Sequence, residues 1–259
     1  LFRRKMIFDF CDPIYVFNPL KTKIFTRMAN AVIVSTHRQE EWAKHYNSNT
    51  HLVHISLDTS IYTRFTKDYR ASGEPPIIGW VGTARDHMNS LQILAGAFRK
   101  LLKETRMPFR FVLIGTFGDQ RVHDLFDIPG LQAQFVDKLN YADFESAPRE
   151  IQKFDIGVVP QINTTEWHKA KTSMKILEYM ACGVSTVASA SGELPYIIED
   201  GVNGYLAASE EEWVEKLKLL LGDQALRERL GRAGQRTVQE RYSFDAIVPR
   251  IEQVIHTLS

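Results

Sequence analysis

From Ile77 onward the apolar positions follow two alternating rules. Runs rich in Val and Ile, with no polar residue at every second place, cover Ile77 to Val81, Phe109 to Ile114, Ala133 to Val136, Asp155 to Val159 and Val184 to Ala188. Such runs predict strands buried on both faces. Between them the spacing changes to three and four. In Asn89 to Glu104 the stripe is Leu91, Leu94, Ala95, Phe98, Leu101 and Leu102, and further helices are expected over Asp143 to Lys153 and Ser173 to Cys182, the last closed by Gly183. Strand and helix in strict alternation predict an α/β fold, a Rossmann-like parallel sheet with helices on both faces. Three more helices are expected in the tail, Glu210 to Leu221, Asp223 to Glu240 and Asp245 to Leu258, separated by Gly222-Asp223 and Tyr242-Ser243.

The amino-terminal part carries the same rhythm in shorter form. Lys5 to Phe10, Ala31 to Ser35 and His51 to Ile55 read as strands, and Arg38 to Tyr46 as a helix. From Ser56 to Pro76 the periodicity fades into polar residues and Ser72-Gly73-Glu74-Pro75-Pro76, which places a linker there. No internal repeat or low-complexity tract occurs.

Composition narrows the choice of partner. The 259 residues are 44% hydrophobic and 24% charged, the balance of a globular protein. A net charge of +1 gives no overall field to attract nucleic acid, so none is expected as a partner. The apolar runs fall far short of the roughly 18 residues a membrane span requires. Cys11 and Cys182, far apart and each among apolar residues, suit a reducing compartment and two structural thiols, and the chain reads as cytoplasmic. It starts at Leu1, and Leu1 to Lys5 leads into no signal-like apolar stretch, so it reads as cut from something longer.

In open parallel sheets, ligands sit beyond the carboxyl ends of the strands, and two loops there hold candidate chemistry. The first is Gly79-Trp80-Val81-Gly82-Thr83-Ala84-Arg85-Asp86-His87. Gly82 would let a ligand approach the backbone, and Arg85 and His87 would add donors. A plain tight turn with a solvated Arg85 explains the same residues equally well. The second loop, Pro160 to Lys171, feeds the helix from Ser173. Lys171, Lys175 and Glu178 share one stripe at its amino end, beside the core stripe of Met174, Leu177 and Ala181. Two cations are awkward at a helix amino end unless an anion such as a diphosphate lies between them. The alternative is a Lys175–Glu178 surface pair contributing a few tenths of a kcal/mol. Trp167, in the same loop, is the tryptophan placed to meet a ligand. His51 and His54 fall on opposite faces of their strand, which argues against a shared metal. Neither a nucleophile elbow nor a Walker motif is present.

One long ordered series resembles a known family. It comprises Lys175-Ile176-Leu177-Glu178-Tyr179-Met180-Ala181-Cys182-Gly183-Val184-Ser185-Thr186-Val187-Ala188-Ser189, then Gly192 and Pro195, then Glu199-Asp200-Gly201-Val202-Asn203-Gly204-Tyr205-Leu206, and near the end Leu219 to Arg229 and Arg241-Tyr242-Ser243-Phe244. The series is similar to the retaining glycosyltransferases of family 4, which have the two-domain GT-B fold. The resemblance implies that residues 1–70 are the closing part of an amino-terminal acceptor domain and 71–242 a donor-binding domain, with 243–259 a terminal helix packing back towards the first part.

It also implies a function: transfer of a hexosyl group from a nucleotide-diphosphate sugar, of the UDP or GDP type, to a glycan or lipid-linked acceptor in polysaccharide assembly. The expected course is retention, with no cofactor and no bound metal; no Asp-x-Asp cluster occurs. Peripheral membrane contact would run through the missing amino-terminal part. Alternatives are a nucleotide-sugar-binding module without activity and a GT-B epimerase acting on a UDP-sugar. By resemblance, Glu178 matches the second glutamate of the family's E-x7-E pattern and would hold the ribose hydroxyls. The first glutamate is replaced by Ala170, with Glu166 as its possible substitute. Thr83 stands where the family has arginine after Gly82, and no lysine matches near Asn89, so Arg85 and Lys175 are the expected phosphate cations. Val136 to Leu139, with Lys138, would meet the base. Lys171, Ser173 and the amides around Met174 would complete the phosphate site.

Overall fold

The structure, a computed structural model, describes residues 5–69, 73–140 and 142–258. Part of the expected linker, residues 70–72, and the first four residues lie outside that range. The chain builds two parallel sheets. The smaller has the order β1 (Ile7–Phe10), β2 (Ala31–Val34), β3 (Thr50–Leu52), with α1 (Pro19–Met28) and α2 (His37–Lys44) as crossovers. A short α3 (Thr59–Tyr62) follows. Then come β4 (Ile77–Val81), α4 (Met88–Glu104), β5 (Arg110–Ile114), α5 (Gln120–Leu125), β6 (Gln132–Val136), α6 (Ser146–Ile151) and β7 (Ile156–Val159). They are followed by α7 (Glu166–Ala170), α8 (Met174–Ala181), β8 (Ser185–Ser189), α9 (Leu194–Ile197), β9 (Tyr205–Ala207), α10 (Glu210–Gly222), α11 (Gln224–Arg241) and α12 (Phe244–His256).

The larger sheet has the order β6-β5-β4-β7-β8-β9, parallel throughout. The winding direction reverses between β4 and β7. That switch point is where loops on either side diverge and leave a crevice. Both faces are dry at the central strands β4, β7 and β8, which is why β4 and β7 read as unbroken apolar runs, whereas the edge strand β6 alternates exposed Gln132 and Gln134 with half-buried residues. Ile78, Trp80, Phe111, Leu113, Ile156 and Val158 point to the face covered by α4 and α10, while Val81, Ile114, Val159 and Ala188 point to α8. On α4, Leu91, Leu94, Phe98 and Leu101 are all buried, each contributing about 1.5–3 kcal/mol relative to exposure. Gly79 and Gly157 are partners in register, and a methyl group on either would run into the ring of Phe154 or Tyr179.

In the smaller sheet, successive residues of β2 divide between two cores. Val32 and Val34 pack with Phe10, Tyr15 and Ala43, whereas Ala31 and Ile33 pack with Val53, Ile247 and Val254. The second group brings α12 back across the amino-terminal unit.

Some elements differ from the sequence reading. The stretch from Ser56 is not bare linker: the Asp58 carboxylate caps Ser60, and the turn of α3 buries Tyr62 against α8. The helix expected from Asp143 starts at Ser146, because Asp143 instead closes a turn by accepting the Glu145 N–H. Strand β9, of three residues, was too short to register as a pattern. Cys182 is buried, but Cys11 is exposed, unlike the structural thiol its neighbours suggested.

The ends of β4 and β5 interlock through two glycines. Gly82 donates to the Ile114 carbonyl at 3.0 Å and Ala84 to the Gly115 carbonyl at 2.9 Å. Gly115 has φ +105°, and a Cβ there would stand 1.8 Å from the Gly82 oxygen. Gly115→Ala should therefore lower stability by more than about 2 kcal/mol, combining backbone strain with a clash against main chain. Urea unfolding followed by circular dichroism measures this loss.

Candidate functional site

Lys175 lies in the first turn of α8, and its stem crosses the bare backbone of Gly82; a Cβ on that glycine would approach Lys175 Cε to 2.5 Å. The ammonium stands 5.4 Å from the centre of the Trp80 ring, an attractive position over a π face. Its hydrogen-bond partner is His87, Nζ to Nε2 at 3.1 Å. Among the described residues no carboxylate forms an ion pair with Lys175. Burial, reinforced by nearby Lys171, brings its pKa down to about 8, against the pull of Glu178. Burial and the two lysines push the His87 pKa down to about 3, so the ring is neutral and its Nε2 accepts. Lys171, half-buried, is likewise lowered by desolvation.

The helix end itself is open. Caps on α2, α5, α7, α10, α11 and α12 use a side chain, Thr36, Asp119, Thr165, Ser209, Asp223 and Ser243 respectively. On α8 the cap position is Ser173, and its hydroxyl makes no cap bond. Free amides and the positive end of the helix dipole thus face the same space as Lys175, with no acid in the first turn. Tyr179 fixes α8 to the sheet, its hydroxyl accepting the Val81 N–H at 2.9 Å.

Glu178 is partly buried and does not pair with Lys175 as a surface bridge would. Its Oε1 accepts from the Tyr62 hydroxyl at 2.9 Å, and burial raises its pKa. Tyr62 was invisible to sequence reasoning, since only the docking of α3 brings it there.

Glu166 stands elsewhere. Arg38 grips both of its oxygens at 2.8 and 3.1 Å, and the Tyr15 hydroxyl adds a third bond at 3.0 Å. Its carboxylate is thereby spent on the amino-terminal unit, a different task from substituting for Ala170. Ala170 is fully buried, and its carbonyl takes bonds from Thr36 Oγ1 and Gln39 Nε2, both at 2.9 Å. Trp167 packs against Phe17, ring centres 5.0 Å apart, so it belongs to the same seam. His37 and His54 also join it: the buried carboxylate of Glu193 accepts from His37 Nδ1 at 2.8 Å and from the His37 amide at 3.1 Å, with His54 at 3.8 Å.

Of the other residues singled out in the sequence, Gly82 and Thr83 line the end of β4. Arg85 is exposed and only loosely paired with Asp86 at 3.5 Å. Val136 is half-buried at the end of β6 and Lys138 is exposed just beyond it. Among the described residues no group of three His, Cys, Asp or Glu is placed to hold a metal, and no helix is long and apolar enough to cross a membrane.

This arrangement, a parallel sheet with Lys175, His87 and the amino end of α8 at its switch point and a second parallel sheet beside it, has counterparts among known proteins. The profile of the family described as Glycosyl transferases group 1 matches residues 75–223, more than half of the chain, and the chain belongs to that family. Among curated relatives, N-acetyl-alpha-D-glucosaminyl L-malate synthase of Bacillus anthracis is 22% identical over 91% of this chain and 60% of its own length. Spore coat protein SA of Bacillus subtilis is 25% identical over 55% of this chain and 39% of its own length. The chain therefore spans less than two thirds of these relatives. Among solved structures, sucrose-phosphate synthase from Thermosynechococcus elongatus superposes with a TM-score of 0.77 at 20% identity, covering 99% of this chain and 68% of the other. Anabaena HepE in complex with UDP and glucose does so with a TM-score of 0.72 at 15% identity, covering 98% and 72%. The fold is that of the GT-B glycosyltransferases.

The depressed Lys175 pKa sets a pH dependence. The unfolded chain binds a proton at this position up to about pH 10.4, the folded chain only up to about 8, so folding is penalised at neutral pH and relieved as pH rises between the two. Lys175→Met should be more stable than the parent at pH 7, with the gap narrowing towards pH 10, as read from denaturation midpoints across that range.

Proposed function

We propose that this chain binds a nucleotide-diphosphate sugar of the UDP or GDP type across the carboxyl ends of β4 to β8, as the donor half of a glycosyltransferase. The observation that carries the reading is a desolvated ammonium without a counter-charge, Lys175, beside an uncapped helix end and a neutral His87. A diphosphate supplies the missing charge. The complexes of Anabaena HepE with UDP and with UDP-glucose support a nucleotide sugar as the ligand class.

In this mechanism the bond between the sugar's anomeric carbon and the β-phosphate oxygen breaks with its electron pair going to the departing diphosphate, an acceptor hydroxyl oxygen forms the new bond to that carbon, and the hydroxyl proton passes to an oxygen of the diphosphate. Lys175 and the amides following Ser173 and Met174 meet the growing charge, with Lys171 adding long-range attraction. Stabilisation that strengthens as charge develops lowers the barrier, whereas equal binding of donor and transition state would not. Glu178, with Oε1 engaged by Tyr62, offers Oε2 to the ribose hydroxyls. Gly82 and Thr83 leave room for the phosphates, Arg85 stands at the rim, and Val136 and Lys138 border the base. The acceptor would be a glycan or a lipid-linked saccharide, the hexosyl group transferred with retention, and the whole protein cytoplasmic with peripheral membrane contact.

One observation favours a second reading, a nucleotide-sugar-binding module without turnover. Ala170 offers only a buried methyl, and Glu166 is held by Arg38 and Tyr15, so no acid from this loop is free to bind the sugar hydroxyls.

Calorimetric titration with UDP, GDP and their glucose and mannose conjugates tests the site. Lys175→Ala and Glu178→Ala should each weaken binding at least tenfold. Lys175→Ala should affect the diphosphates far more than the free nucleoside, and unchanged affinities would remove both residues from the site. Release of UDP or GDP from the sugar conjugate supports the enzyme, and tight binding without release supports the module.

A further inference from the structure

The turn after β5 carries an aromatic side chain near the proposed phosphate site. Phe117 has φ +51°, and among the described residues it is the only one other than glycine with a positive φ. That conformation costs a residue with a Cβ about 1–2 kcal/mol, and flanking glycines at 115 and 118 show how easily the turn could be made without it. The cost is not recovered by packing, because the ring is 51% exposed.

The loop is nevertheless held firmly. Gly115 N–H donates to the Val136 carbonyl at 2.7 Å and Phe117 N–H to the Asp137 carbonyl at 3.0 Å. The Asp137 carboxylate accepts from Thr116 Oγ1 at 2.5 Å and from the Gly118 N–H at 3.3 Å. Those bonds, the Thr116 hydroxyl foremost, keep Asp137 ionised below the usual carboxylate range. Every residue from 115 to 118 is thus tied to the end of β6. Backbone strain that the surroundings enforce, on a large side chain left in solvent, is the pattern of a residue positioned for a ligand.

Position says which part of the ligand. Lys175 touches Gly82 at the end of β4, Gly115 touches Gly82 at the end of β5, and Phe117 follows two residues later beside Val136 and Lys138 at the end of β6. With strands about 4.8 Å apart, the row from β4 to β6 spans about 10 Å. A nucleotide with its phosphates at Lys175, lying along this row, would reach this loop with its base.

We propose that Phe117 is the stacking platform for the nucleobase of the donor, its ring covering one face of the base while Val136 and Lys138 border the other side. The proposal rests on the nucleotide-sugar reading above and goes beyond it by assigning base affinity to one strained aromatic residue. Stacking accepts either a pyrimidine or a purine, so it confers affinity for UDP and GDP alike, and choice between them falls to the groups at the end of β6.

Titrations of the 259-residue chain with UDP, GDP and pyrophosphate test this. Phe117→Ala is expected to weaken UDP and GDP binding about tenfold while leaving pyrophosphate binding unchanged. Phe117→Gly is expected to give the same loss together with a raised unfolding midpoint, because glycine relieves the strain. Unchanged nucleotide affinity in both variants, or equal losses for nucleotides and pyrophosphate, overturns the proposal. A parent chain that binds pyrophosphate but neither nucleotide also overturns it while sparing the anion site. If the parent binds none of the three, the nucleotide-sugar reading itself fails and the platform with it.

Discussion

A largely desolvated positive charge that no carboxylate among the described residues pairs with is the constraint on which the rest of this structure turns. Lys175 could relax by reaching solvent, but its stem is trapped between Gly82 and the face of Trp80, its hydrogen-bond partner is a histidine, and the pull of Glu178 is outweighed by burial and a second lysine. Water would solvate the ammonium better than this site does. The fold tolerates the cost by lowering the charge of the whole group: His87 stays neutral and Lys175 gives up its proton more readily than a surface lysine. What is unfavourable in the empty cleft becomes favourable when an anion arrives, since attraction is strong where water is excluded. The donors need not move to meet it.

The glycines at the strand ends make this possible by geometry. Close approach of β4 and β5 at Gly82 and Gly115 clears a shelf onto which α8 can aim its amino end, and Tyr179 locks that aim through the Val81 amide. Side chains larger than glycine at either position would push the lysine away or part the strands. The same economy of bulk recurs deeper in the sheet, where Gly79 and Gly157 yield to Phe154 and Tyr179.

Contacts with the amino-terminal unit shape the loop after β7. Thr36 and Gln39 bind the Ala170 carbonyl, Ser35 meets Thr172 at 3.0 Å, and Arg38 with Tyr15 holds Glu166. Thr36 and Gln39 thereby satisfy a main-chain carbonyl of the loop, while the other contacts join side chain to side chain. Glu193 adds a buried carboxylate between His37 and His54. The segment leading into α8 is therefore positioned by residues more than a hundred places away in the chain.

The amino-acid sequence by itself determined the parallel α/β layering, because strands buried on both faces must be apolar throughout and their helices must show a stripe at three and four. Lys175 and Glu178 were also legible, as charges on one helical stripe at an amino end where cations are out of place. Their partners were not. Tyr62 and the seam that captures Glu166 come from other elements, His87 and Trp80 stood in the candidate loop without any sign that they meet Lys175, and local periodicity carries no information about which distant side chain will arrive. The three-residue β9 and the α3 turn escaped for a related reason: elements so short have no period, and burial against α8 or β8 is what stabilises them. Tertiary structure alone decided that Glu166 is engaged by Arg38 and Tyr15, and that Phe117 is strained and bare, since φ is fixed by the hydrogen bonds of Asp137 and not by the preference of phenylalanine.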